Sequence, residues 1–349
     1  MNRLLDNHTR QHDLVNWAER LPEVHVPGGS MFCHPSRLTN IYVRTIETVT
    51  LDPEILPAQE AAIQIKHTTT RSVPQYRNVG RRGQARTFIE RLSRGKQLDF
   101  SERLVYDARW IDNANIAHLF QYHLASLGFA KKRLGILNDQ CLVLLEKKSP
   151  KFSHEIFRLV GYETFETNLP VHANLLRFDI NANVPYHLLP FVGELDPGKL
   201  DNSLPKKIFI SRRGSRRLLN EKDVVALMTE RGYQTVYFEE MSLADQWSIA
   251  CHAHSIAAIH GAALGYLASK SAAIPASFEL LELFSPGLVA DCFRKYTAVL
   301  GGTWIGCRGK LTPEFLRCVE DGSDPKAMEG DHFELDTSSI ERAFAHRGK

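Results

Sequence analysis

The succession of apolar and polar segments is most regular in the second half of the chain. KKIFISRR (206–213) is a short apolar run that predicts a strand. NEKDVVALMTERG (220–232) has the helical period, with Asn220 placed as N-cap, acids in the first turn and Gly232 after its end. QTVYFEE (234–240) predicts a second strand, and SLADQWSIACHA (242–253) a second helix capped by Ser242. SIAAIH (255–260), GAALGYLASK (261–270) and SFELLELF (277–284) continue as strand, helix and strand. Strand and helix alternating over short links predict a parallel, doubly wound sheet.

The first half is less even. YVRTIETVTL (42–51) alternates β-branched and polar residues as a half-buried strand would. In NIAHLFQYHLASLGFA (115–130) apolar residues recur at helical spacing, with Asn115 near the start and His118 one turn in. CLVLLE (141–146) predicts a buried strand, SHEIFRLVG (153–161) a short helix ended by Gly161, and NLLRFD (174–179) an extended piece. Residues 183–205 hold four of the sixteen prolines and two glycines, which places a domain junction there. The expectation is an α/β protein with domains at 1–190 and 191–349, the C-terminal tail being free to pack back on the first.

Length supports two cores, since 349 residues exceed one ordinary domain. A hydrophobic share of 43%, a charged share of 24% and a mean hydropathy of -0.25 fit a folded, water-soluble chain. Net charge is only +3, so no general field draws the protein to nucleic acid, and any anion site must be local. The one basic stretch is 66–97, rich in Lys and Arg against the single acid Glu90. It suits either a solvated loop and helix face or peripheral contact with an acidic acceptor or lipid headgroups. The first 24 residues carry charges throughout and no apolar run, so neither signal peptide nor membrane anchor is predicted, and the expected location is cytoplasmic, at most at the inner face of a membrane. The six cysteines are far apart, with no spacing suited to zinc.

Ligands of a doubly wound sheet sit beyond the carboxyl ends of its strands, where helix N-termini offer free N–H groups. His260, Gly261, Ala262 and Ala263 fall at such an end, with side chains small enough for a diphosphate to approach the backbone. The same residues would also make a tight strand-to-helix turn whose glycine only avoids a clash. Ser211-Arg212-Arg213 closes the first strand of that sheet, and guanidiniums there would donate to phosphate. Arg212 is the favoured one and Arg213 the alternative, facing another way. Glu282, in the apolar run LLELF, needs a partner, either ribose hydroxyls or an internal ion pair. No Asp-x-Asp follows a hydrophobic strand, and the acidic patch from Glu320 to Asp324 reads as a surface turn, so no metal and no cofactor are expected. The G-x-S-x-G, G-x-x-x-x-G-K-[ST] and G-x-G-x-x-G signatures are absent.

Residues 206–264, KIFISRRGSRRLLNEKDVV…HGAAL, resemble the donor domain of glycosyltransferase family 61 in their order of S-R-R, N-E, E-x-M-S and H-G-A-A-L. Asn115-Ile116-Ala117-His118 resembles the family's Asn-x-x-His. The resemblance implies two Rossmann-like domains facing across a cleft (GT-B) and metal-independent, inverting transfer from a nucleotide-diphosphate sugar, most plausibly a UDP-sugar, to a glycan or lipid-linked glycan in bacterial surface polysaccharide synthesis. It assigns Arg212 and Gly261 to Ala263 to the diphosphate, Glu282 to the ribose, and Phe238 or Glu239 to the nucleobase; His118 is the candidate catalytic base, with Asn115 as its catalytic neighbour, and capping or orienting the helix is the bland alternative for His118. A non-catalytic nucleotide-sugar or glycan-binding protein of the same fold is the rival. After Leu264 the chain departs from the family pattern, reading GYLASKSAAIPASFELLELF without its proline-glycine turn.

Overall fold

The structure, a computed structural model, describes residues 15–33, 48–70, 96–110, 113–180, 185–195, 204–272, 278–288, 290–323 and 330–347. Its strands are β1 (Val15–Leu21), β2 (Val24–Val26), β3 (Gly29–Cys33), β4 (Thr48–Leu51), β5 (Glu54–Leu56), β6 (Gln59–Thr69), β7 (Leu98–Asp107), β8 (Cys141–Leu145), β9 (Glu163–Glu166), β10 (Val171–Ile180), β11 (Lys207–Ser211), β12 (Gln234–Tyr237), β13 (Ser255–Ile259), β14 (Glu279–Phe284) and β15 (Thr303–Arg308). Its α-helices are α1 (Ile116–His118), α2 (Ala125–Leu134), α3 (Lys151–Leu159), α4 (Glu221–Glu230), α5 (Leu243–His252), α6 (Cys292–Val299), α7 (Pro313–Glu320) and α8 (Thr337–Arg347). The chain forms two compact units, each mixed α/β with parallel strand pairs.

The first unit holds a sheet of order β1-β6-β10-β7-β8-β9. β1 and β10 flank β6 antiparallel, whereas β10-β7, β7-β8 and β8-β9 are parallel. β8 is buried at every position because both faces are covered, which is why CLVLL reads as an unbroken apolar run. At the end of β7, Arg109 binds both oxygens of Asp107, the Thr167 and Leu169 carbonyls and Thr70 Oγ1, so a buried charge is fully satisfied. α1 and α2 are joined by a π-helical turn, Leu119–Leu124, and α2 ends at Gly135, whose φ of 67° is the left-handed conformation a helix stop needs.

The second unit holds a sheet of order β12-β11-β13-β14-β15-β3-β4, parallel throughout except for the β3-β4 pair, and a small antiparallel ribbon of β2 and β5. Alternate residues of these strands face opposite sides. Phe209, Ala257, Leu281, Leu283 and Cys307 enter one core with Val224 and Met228 of α4 and Ile340 and Ala343 of α8. Each Val, Leu, Ile, Met or Phe among these contributes roughly 1.5–3 kcal/mol when fully buried. The other face of β14 carries Glu282.

Two expectations are corrected here. The units are not the continuous halves 1–190 and 191–349: Pro22–Ala58 and Tyr186–Gly193 belong with the second unit, and Glu194–Gly198 with the first. The cause is β3, which extends the parallel sheet beside β15 although far from it in sequence. The C-terminal tail is grouped with the second unit. Arg347 of α8 reaches Tyr233 Oη at 2.8 Å, Ser255 Oγ at 3.3 Å and Glu279 Oε2 at 3.1 Å, all within the second. Asn220 precedes α4 without a side-chain cap; its amide instead donates to the Leu335 carbonyl at 2.7 Å and accepts from the Leu335 N–H at 3.1 Å. Of the strand read at 42–51, residues 48–51 form β4 and the rest lies outside the described residues, as does most of the basic stretch 66–97, residues 71–95. Among the described residues no helix is long and apolar enough to cross a membrane.

Candidate functional site

β11 runs out into α4 and β12 on one side, while β13, β14 and β15 lie on the other. The strand order therefore reverses between β11 and β13, and the carboxyl ends of these two strands flank the crevice where open α/β sheets bind ligands. Arg212 follows β11 directly, and His260 follows β13. Hydrogen bonding brings them together, since Arg212 Nη1 donates to the His260 carbonyl at 3.2 Å. Gly261 makes this possible: a Cβ there would lie 2.3 Å from Arg212 Nη1. Burial, and then the nearby Arg216, lower the Arg212 pKa, with Glu239 acting in the opposite sense. The guanidinium remains charged at neutral pH. Among the described residues no carboxylate lies within ion-pair distance of it, so a half-buried cation at the switch point feels Glu239 without being paired to it.

The helix expected over 261–270 is a 3₁₀ helix, Ala262–Ala272. Leu264 N donates to the Gly261 carbonyl, so the amides of Gly261, Ala262 and Ala263 precede the first bonded turn. Small side chains leave these donors approachable, and a helix start favours an anion.

Arg213 turns away, as its alternation from Arg212 predicts. Its guanidinium lies 3.4 Å from the Tyr237 ring centroid, and Nε binds Glu240 at 2.9 Å. Glu239 accepts from the Arg213 backbone N–H at 3.2 Å, and Phe238 is buried edge-on to Tyr266. In this structure Arg213, Phe238 and Glu239 therefore shape the turn beside β12.

Glu282 is fully buried, and both of its oxygens are committed. His260 Nδ1 lies 2.5 Å from Oε1, and the Trp304 indole N–H donates to Oε2 at 2.7 Å. Of the two arrangements open for Glu282 in the sequence, the structure shows the internal pair, and neither oxygen faces out for a ribose. The indole fits because Gly29 and Gly306 lie against its ring, and a Cβ on either would come within 2.8 Å of it. Trp304 was not among the sequence candidates. Its strand pairing puts Gly306 opposite Glu282, a register that no local pattern encodes.

Asn115 and His118 lie in the first unit, apart in the chain from the residues above. Asn115 is the N-cap of α1, its Oδ1 accepting from Ala117 N at 2.9 Å, so the capping role read in the sequence is filled by Asn115. His118 packs edge-on to Tyr122 at 5.7 Å, and its Nδ1 is buried without a hydrogen-bond partner. A π turn begins at the next residue; such turns are frequent at functional sites. Burial pushes the Cys141 and Cys292 thiols up to about 12, so neither is a thiolate at neutral pH. Among the described residues no group of three or more His, Cys, Asp or Glu is arranged to hold a metal ion.

No curated protein matches the chain. Among solved structures, the dodecameric iron-containing heptosyltransferase TibC in complex with ADP-D-β-D-heptose aligns over 78% of this chain and 76% of its own, at 10% identity and a TM-score of 0.30, a likeness too slight to bear on fold or mechanism. The family model for glycosyltransferase 61 matches residues 17–267. That span covers most of the chain, from β1 to the 3₁₀ helix after His260, and the protein is therefore a glycosyltransferase belonging to family 61.

Proposed function

We propose that the protein moves a glycosyl group from a nucleoside-diphosphate sugar, a UDP-sugar, to a hydroxyl of a glycan or lipid-linked glycan, with inversion, without a metal ion, and in a GT-B arrangement of its two units. The observation that carries this reading is the half-buried Arg212 guanidinium, without a carboxylate at ion-pair distance among the described residues, beside the free amides of Gly261 to Ala263 at the switch point. A diphosphate supplies the missing negative charge. In the reaction the acceptor oxygen bonds to the anomeric carbon as its proton passes to a base, for which His118 is the candidate. The bond from that carbon to the β-phosphate oxygen breaks, and the nucleoside diphosphate leaves with the electron pair. Arg212 and the helix amides stabilise the charge that builds on it. We place this chemistry in the cytoplasm, in the assembly of a bacterial surface polysaccharide, with the basic stretch 66–97 contacting an acidic acceptor or lipid headgroups.

The test is release of nucleoside diphosphate from a panel of UDP-, GDP-, ADP- and CDP-sugars, with and without EDTA. Arg212→Ala is expected to lower kcat/KM by about 100-fold or more, the usual loss on removing one charge-stabilising donor. Arg213→Ala, whose partners are the exposed Glu240, the half-buried Glu221 and the Tyr237 ring, is expected to change it less than about tenfold. Equal losses in the two variants would remove Arg212 from the site. Binding of a donor without turnover on any acceptor would favour the binding-protein alternative.

A further inference from the structure

Building on that donor site, we infer that His260 donates a hydrogen bond from Nε2 to the donor's diphosphate, and that Glu282 and Trp304 are the positioning residues that hold its ring for this contact. His260 is 8% exposed, and its ring has one fixed and one free end. Nδ1 is 2.5 Å from Glu282 Oε1, while Nε2 has no protein partner among the described residues and is not sealed from solvent. The ring plane is set by Phe284, stacked at 5.2 Å and 25°, and by Phe293, edge-on at 5.5 Å. Its backbone carbonyl is the one that accepts from Arg212, and the next residue is Gly261. The ring therefore belongs to the same turn as the proposed anion site.

A carboxylate buried in an apolar wall is costly unless hydrogen-bonded on both oxygens. Here a Trp N–H takes one oxygen and an imidazole the other. A carboxylate behind an imidazole fixes its orientation and stabilises the imidazolium. With Nδ1 engaged by Glu282, Nε2 is the ring nitrogen left to meet the ligand, and an N–H there is a donor suited to phosphate oxygen. Glu282 thus acts on the donor through His260 instead of through the ribose, and this explains a fully buried acid in a strand next to the site.

The experiment is calorimetric titration of the full chain with UDP, GDP, ADP and CDP, using the unaltered protein, His260→Asn, Glu282→Gln, Trp304→Phe and Arg212→Ala, with circular dichroism confirming the fold. His260→Asn and Glu282→Gln are expected to weaken the best-binding diphosphate by about tenfold or more. Trp304→Phe, which keeps an aromatic ring but removes the indole N–H, is expected to weaken it by several-fold. In the unaltered protein, proton NMR should show a downfield His260 ring N–H that moves on addition of that diphosphate and is lost in Glu282→Gln. Folded His260→Asn with unchanged affinity, while Arg212→Ala loses it, would overturn the inference and leave the donor site standing. A ring N–H unmoved at saturating diphosphate would overturn it as well, even if the variants do not fold. No binding of any diphosphate by the unaltered protein would instead bring down the donor site itself.

Discussion

Gly261 is where side chain and backbone compete for the same space. Its missing Cβ leaves room for Arg212 Nη1, which a methyl would approach to 2.3 Å. Gly261→Ala should therefore displace the guanidinium while sparing the core. We expect nucleoside-diphosphate affinity to fall by about tenfold, the order of one charge-assisted hydrogen bond, with the melting temperature nearly unchanged. Titration and a thermal melt check this, and full affinity would mean that the observed guanidinium position is not the binding one. At this scale Arg212 and His260 were legible, since each closes an apolar run and the ends of such runs are where ligands sit. The role of Glu282 was not, because its partners come from other strands. A one-dimensional pattern shows that a buried acid needs a donor, but not that an indole from β15 supplies it.

The 3₁₀ helix after His260 is tied to α5 by Lys270. Its Nζ donates to the Cys251 carbonyl at 2.8 Å and also to that of Ala253, the last turn and C-cap of α5, where a cation meets the negative end of the helix. Burial pushes its pKa down to about 8 from an ordinary 10.5. Between these values the unfolded chain binds more protons than the folded one, so stability should rise with pH from about 8 to 10.5. Lys270→Met removes that rise. Denaturant midpoints of both proteins across this window decide the matter, and parallel curves would show that Lys270 does not titrate there. Asn220 offers a second check. Asn220→Ala leaves the polar backbone of Leu335 unpartnered and should cost about 1–3 kcal/mol of stability by urea titration. The elements of the second half were readable because buried parallel strands are short apolar runs separated by helical periods. Apolar spacing alone does not distinguish an α from a π or 3₁₀ turn over so few residues, and the variants at 119–124 and 262–272 went unread.

In the whole molecule, the second unit is closed by chain that precedes most of the first. β3 covers the edge of β15, and Arg294 binds the Pro27 carbonyl at 2.9 Å and Glu54 at 2.6 Å. A fragment beginning at Lys199 would expose that edge and leave a buried guanidinium without these partners. We expect it to aggregate or to lack a cooperative melt, as read by gel filtration and calorimetry; a sharp transition would show that Pro22–Ala58 is dispensable. The sequence placed the junction near 190 from its prolines, a sound local signal, but a strand borrowed from the N-terminal region leaves no composition mark. The account's central claim is that the donor diphosphate sits at the carboxyl ends of β11 and β13. A crystal structure with the best-binding nucleoside diphosphate tests it most directly. The account predicts phosphate oxygens within hydrogen-bond distance of the Arg212 guanidinium and the Gly261 to Ala263 amides; a diphosphate bound elsewhere, with Arg212 untouched, would contradict it.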